Sequence, residues 1–168
     1  MKRLLIPILL LFAVSIISAQ EATKKVAPNF ELETIEDETV ELSDFLGEGP
    51  VLINFWATWC KPCVEEMKYY QEIYDKHKAD GMKMLAISED TERSVAKVLP
   101  YIKANNYNFT VLLDPDNAVA RDFYVRVVPH TYILNSEGEI VYSHSGYKKG
   151  DEKEVERIIT ELLGEKEK

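Results

Sequence analysis

The sequence predicts an α/β fold, with a mixed central sheet and helices on both faces. Three observations predict it. The apolar runs "VLINFWA" (51–57), "MKMLAIS" (82–88) and "FTVLL" (109–113) each suit one buried strand. Between them, apolar residues recur at helical spacing. Both flanks of this core carry period-two alternation around turn residues, as hairpins do. Parallel neighbours in such an order are joined by right-handed crossovers.

The elements follow in chain order. Residues 20–27 are polar and read as a linker to a domain spanning 28–164. "FELETIEDETVELSDF" alternates at Phe30/Leu32 and Val40/Leu42 about an acidic turn, which predicts an N-terminal β-hairpin. The strand 51–57 leads into a helix over 62–79, with Val64, Met67 and Tyr70 or Tyr74 on one side and Gly81 as its stop. After the second strand, Val95, Val98, Leu99 and Ile102 predict a helix over 91–105, kinked or split at Pro100. The third strand is followed by "DPDNAVARDFY", turn chemistry that becomes a short helix. "HTYILNSEGEIVYSHS" predicts a second hairpin, turning at 136–138. Val155, Ile158, Ile159, Leu162 and Leu163 mark a last amphipathic helix before a charged tail at 165–168.

Length and charge set bounds on function. The 168 residues suit one domain with a core of its own. A formal charge of −9 argues against nucleic acid as a partner. The opening "MKRLLIPILLLFAVSIISAQ" has a basic start, an apolar run over 4–17 and Ala19 as a small residue for cleavage. It reads as a signal peptide over 1–19, with an uncleaved membrane anchor as the alternative; the run is short against the ~20 residues of a membrane span. Cleavage would remove Lys2 and Arg3 but no acid, taking the charge to −11. No cysteine lies near the cut to carry a lipid. The expected location is periplasmic or otherwise extracytoplasmic.

Only two cysteines occur, Cys60 and Cys63. A bridge between them closes a tiny loop and restricts the unfolded chain only slightly, so a redox role is favoured over a staple. A strand runs straight into Cys60 and a helix begins there. First-turn N–H groups and the helix dipole then favour negative charge on the Cys60 sulfur. Such placement lowers a thiol pKa from ~8.5 by one or more units, and the thiolate is the species that attacks a disulfide. Pro62 suits the first helical turn. Cys63 falls one turn along and is expected to be the more buried. Lys61 between them favours the Cys60 thiolate and makes the couple somewhat more oxidising. No metal is expected, since zinc needs about four ligands and His77, His130 and His144 are widely spaced. A c-type haem would need His where Val64 stands.

"VLINFWATWCKPC", "VVPHTYIL" and the final hairpin and helix resemble the thioredoxin superfamily. The longer stretch from "APNFELETIEDETVELSDF" to "WATWC" is similar to its TlpA-like/ResA-like thiol–disulfide oxidoreductases, and the resemblance covers about 26–163. It implies a thioredoxin fold with an N-terminal hairpin and a central αβ insertion at about 91–113. It implies Cys60 as the attacking cysteine, Cys63 as the resolving one, Trp59 as the flanking aromatic and Pro129 as a cis-proline beside the disulfide. His130 stands where cytoplasmic thioredoxins usually have Thr. Asn54 replaces the buried Asp that helps the resolving cysteine lose its proton in many thioredoxins. Family members with Asn there can use a Glu from the insertion region, which directs attention to Glu89, Asp90 and Glu92, with Glu89 preferred.

The implied function is reduction of disulfides in envelope proteins, apocytochrome c among them, with no cofactor beyond the cysteine pair. The implied partners are those proteins and a membrane thiol electron donor, and a monomer is the default. A disulfide-forming oxidant on the same fold is the alternative. A peroxiredoxin would share the N-terminal hairpin, but the Pro-x-x-x-Thr-x-x-Cys pattern is missing, since Thr58 stands too close to Cys60. A binding module without redox chemistry is the remaining class.

Overall fold

The computed structural model describes residues 25–165. The leader, the first part of the linker and the last three residues of the tail lie outside them. The described chain runs β1 (Glu31–Thr34), β2 (Thr39–Glu41), β3 (Val51–Trp56), α1 (Lys61–His77), β4 (Lys83–Ser88), α2 (Val98–Asn105), β5 (Thr110–Leu113), α3 (Ala118–Asp122), β6 (His130–Leu134), β7 (Ile140–Ser145) and α4 (Glu152–Glu165). The seven strands form one sheet in the order β2-β1-β5-β4-β3-β6-β7. The middle three are parallel, and β1 and β6 flank them antiparallel. This is the mixed sheet of the thioredoxin-like α/β class, with a hairpin at each edge.

Alternation along β3 explains the layering. Val51, Ile53 and Phe55 enter one buried cluster, with Leu85, Ile87, Leu112, Phe123 and Tyr132. Leu52 and Trp56 enter the other, with Met67, Tyr70 and Ile73 of α1, Val98 and Ile102 of α2, and Val155 and Ile159 of α4. Three helices therefore cover one face, and α3 shares the other with Ala27 and Phe30 of the N-terminal segment. All six residues of β3 are buried, and Asn54 is the one polar residue among them.

Three expectations change. The stretch 25–27, read as the end of a linker, is docked: Val26 bridges Glu139, and Ala27 N–H donates to the Gly138 carbonyl at 2.9 Å. The division expected at Pro100 falls two residues earlier, where a 3-10 turn at Val95–Lys97 passes into α2 at Val98. Pro100 is the third residue of α2, where no partner within that helix awaits its missing N–H. The buried stripe of α1 starts at Cys63 rather than Val64. It continues through Glu66, Met67, Tyr70, Ile73 and His77, so it includes a carboxylate that apolar periodicity passes over. The stop at Gly81 is as expected, with φ of 102° after a short 3-10 turn.

Candidate active site

The site is built where β3 ends. Trp56 is its last residue, and the turn 57–59 delivers Cys60 as the N-cap of α1. Cys60 keeps extended backbone angles, and its Sγ accepts the Cys63 N–H at 3.3 Å. The sequence expectation about the first helical turn thus has a specific donor. That N–H and the positive end of a 17-residue helix face the sulfur. Pro62 sits in the first turn, where its ring costs no hydrogen bond. Cys60 and Cys63 are joined as a disulfide, with Cα atoms 5.3 Å apart. Cys60 is 5% exposed, Cys63 0% and Trp59 65%, so the first cysteine is the less buried of the two and follows an open aromatic residue in the chain. Lys61 is exposed.

The Val128–Pro129 bond is cis, as the resemblance implied. Pro129 immediately precedes β6, whose first residue, His130, pairs with Phe55 near the end of β3. The Pro129 segment and Cys60 therefore share one end of the sheet. His130 stacks on Tyr132 with ring centroids 4.6 Å apart, and its Nε2 lies 3.0 Å from Ser143 Oγ. Burial, and after it nearby His144, hold its pKa below the usual value. These contacts give His130 a packing role.

Behind Cys63 lies a buried polar group that the sequence reading missed. Glu66 follows Cys63 by three positions on the inner face of α1. Its Oε2 accepts from Asn54 Nδ2 at 2.9 Å, and its Oε1 accepts from the Tyr70 hydroxyl at 2.9 Å. Burial pushes its pKa up to about 7, against the lowering effect of the Tyr70 and Asn54 hydrogen bonds. Asn54 thus meets a carboxylate, as its replacement of Asp suggested, but that carboxylate comes from α1. The signal that could have found it is the i, i+3, i+7 row of Cys63, Glu66 and Tyr70.

Glu89 is not brought to Asn54. It follows the last residue of β4, burial pushes its pKa up to about 7, and the charge that adds to this is Asp114. Asp114 in turn caps α3, accepting from Ala120 N–H at 2.8 Å. Glu92 is exposed. Asp90 is fully buried and has a different task. It accepts both the N–H and the hydroxyl of Thr58, each at 2.7 Å, and the Ser88 hydroxyl at 3.1 Å. It therefore fixes the turn two residues ahead of Cys60.

Among the described residues no group of three or more His, Cys, Asp or Glu side chains is gathered as for a metal ion. The chemistry on offer is that of two sulfurs and of two carboxyls, Glu66 and Glu89, whose pKa burial pushes up to about 7.

Residues 23–143 match the AhpC/TSA family. The chain is 35% identical over 122 residues to the thiol-disulfide oxidoreductase ResA of Bacillus thuringiensis subsp. konkukian, covering 73% of this chain and 69% of that protein. The crystal structure of StoA from Bacillus subtilis superposes with a TM-score of 0.64 at 26% identity, over 79% of this chain and 96% of that one. The solution structure of a thioredoxin-like protein from Porphyromonas gingivalis gives a TM-score of 0.71 at 34% identity, over 84% and 95%.

Proposed function

The chain belongs to the AhpC/TSA family and, with its ResA relatives, to the thioredoxin-like thiol–disulfide oxidoreductases; from that premise we propose that it reduces disulfides of envelope proteins outside the cytoplasm. Apocytochrome c is one substrate class that fits, and a membrane thiol donor would recharge the pair. The observation that carries the reading is Cys60 at the N-cap of α1, its sulfur taking the Cys63 N–H.

In the dithiol form, the Cys60 thiolate attacks a substrate disulfide. A bond forms between Cys60 and one substrate sulfur, and the other leaves as a thiolate. Glu66, ionised, takes the Cys63 proton directly or through one water. The Cys63 thiolate then attacks the Cys60 sulfur, closing the bridge and expelling the second substrate thiolate. Two electrons pass to the substrate. Its two thiolates take up the proton from Glu66 and one from solvent. A pKa near 7 suits Glu66 to this task, since the group is then both available as a base and able to release the proton again. Exposed Trp59 and the Pro129 segment provide the surface on which a substrate chain lies. Lys61 stands in solvent, so its pull on the potential is small.

The test is direct. Cys60→Ser abolishes reduction of insulin disulfides, whereas Cys63→Ser accumulates mixed disulfides whose protein partners mass spectrometry identifies. A reduction potential of about −120 mV, that of a strong oxidant, would overturn the reductase reading in favour of disulfide formation. The leader over 1–19 carries the export part of the reading, and detection of the mature chain in a cytoplasmic fraction alone would sink it.

A further inference from the structure

Glu66 is one corner of a closed hydrogen-bond ring. Asn54 Nδ2 lies 2.9 Å from Glu66 Oε2 and 3.2 Å from Thr131 Oγ1. The Tyr70 hydroxyl lies 2.9 Å from Thr131 Oγ1 and 2.9 Å from Glu66 Oε1. All four residues are buried. The donor inventory fixes the direction of the ring around an ionised Glu66. An amide nitrogen can only donate, so Asn54 gives one N–H to Glu66 and one to Thr131. Thr131, having accepted, gives its proton to Tyr70, and Tyr70 gives its proton to Glu66. Every proton in the ring points toward the carboxylate. One atom is left over, because Asn54 Oδ1 is buried and has no partner among the described residues. Turning the amide over would pair Oδ1 but set it against Glu66 Oε2, two acceptors face to face, unless Glu66 carried a proton.

We propose that Tyr70 and Thr131 are positioning residues, whose hydroxyls close this ring and hold Glu66 as the carboxylate that takes the Cys63 proton. The proposal rests on the role given to Glu66 above. It adds a physical reason why a carboxyl so buried is ionised at all near neutrality. Burial alone drives Glu66 toward its neutral form, and the ring opposes burial with two charge-assisted donors. The other charged and titratable groups around the ring all work against the anion or stand apart from it. Asp151, ahead of α4, raises the Glu66 pKa. Tyr142 of β7 feels both Asp151 and Glu66, together with Glu154 of α4. His144 of β7 lies 3.3 Å from Asp151. Cys63 precedes Glu66 by one turn.

Thr131 also lies two residues after Pro129 in β6, so the ring ties the cis-proline segment to the helix that carries both cysteines. The proton state of Glu66 and the position of the Pro129 segment thereby share one network.

The test uses the whole chain with Tyr70→Phe, Thr131→Val and Thr131→Ser, and Glu66→Gln as reference. Two quantities are measured. One is the titration midpoint of the Glu66 carboxyl, by carbon-13 NMR of the oxidised protein. The other is the pH profile of the resolving step, read as release of a coloured aromatic thiol from its mixed disulfide with Cys60. Tyr70→Phe keeps the ring of atoms that packs and removes one donor to the carboxylate. It raises the Glu66 midpoint by about one pH unit and slows resolution at pH 7 about fivefold, through the smaller ionised fraction. Thr131→Val moves both in the same direction, and Thr131→Ser, which keeps the hydroxyl, restores them. An unmoved Glu66 midpoint in Tyr70→Phe, or one that moves without the rate profile following, overturns the proposal. Glu66→Gln separates the two layers. If it removes the dependence of resolution on pH near neutrality, the base role stands whatever Tyr70 does; if it leaves the profile intact, that role fails and the ring has no catalytic purpose.

Discussion

A single substitution in a strand, Asn54 in place of the buried Asp usual for the superfamily, pointed to a missing base but not to where it lay. The structure answers with Glu66, which the sequence hides as half of a Glu65–Glu66 pair on an otherwise ordinary helix face. Nothing in composition distinguishes the two. Only the phase of the helix does, turning Glu65 to solvent and Glu66 inward. The cysteines were legible for the opposite reason, since rarity and spacing mark them before any geometry is known. Asp90, weighed among the candidates for assisting Cys63, serves instead through the Thr58 turn. Asp90→Ala leaves the Thr58 N–H, the Thr58 hydroxyl and the Ser88 hydroxyl without their acceptor. It should cost about 2–4 kcal/mol in a denaturant titration and broaden the pH dependence of Cys60 alkylation. Asp90→Asn should lose far less, because its amide can accept the Thr58 N–H while donating to the Thr58 hydroxyl. Equal losses in the two variants would show that the carboxylate charge, not the hydrogen-bond pattern, holds the turn.

Elements were readable wherever a run of one period was long enough to be unambiguous. The three parallel strands, both hairpins and the terminal helix fall where alternation and spacing put them. The misreadings share a cause. Pro100 marks a division of the helical stretch, but the point where the 3-10 turn gives way to α2 is set by contacts that no local pattern reports. Residues 25–27 look like the end of a linker because the stretch 20–27 is short and mostly polar, yet backbone hydrogen bonds to the turn of the second hairpin make them part of the fold. One close approach between elements offers a sharp test. A Cβ on Gly49, just before β3, would lie 2.6 Å from the Gly81 carbonyl oxygen and 2.9 Å from its carbon. Both are backbone atoms and cannot swing aside. Gly49→Ala should therefore destabilise by about 1–3 kcal/mol and lower Tm by several degrees, with the disulfide chemistry of the folded protein unchanged. A variant as stable as the parent would mean that the end of α1 shifts freely relative to β3.

At the scale of the whole molecule, the buried carboxyls make stability depend on pH in a direction opposite to that of a salt-bridged acid. Glu66 in the folded chain binds its proton up to about pH 7, whereas its ordinary value is 4.5. Between those values the folded state holds more protons than the unfolded one, so stability falls as pH rises through the window and levels off above it. Glu66 alone contributes a loss of about 3 kcal/mol on this scale, and Glu89 adds to it in the same direction. Denaturant titrations between pH 5 and 8 should show the decline, and Glu66→Gln should flatten much of it. A parent protein whose stability rises over that range would contradict the burial argument. The same architecture decides how the domain can be held. Lys25 and Val26 meet Ile140 and Glu139, where β7 begins. That is the end of the sheet shared by Leu134 and Val51, whereas Cys60 follows Trp56 at the other end of β3. The six residues of β3 span about 20 Å. A handle joined at the amino side of Lys25 therefore grips the molecule by its heel and leaves the sulfur-bearing toe pointing away from whatever does the holding.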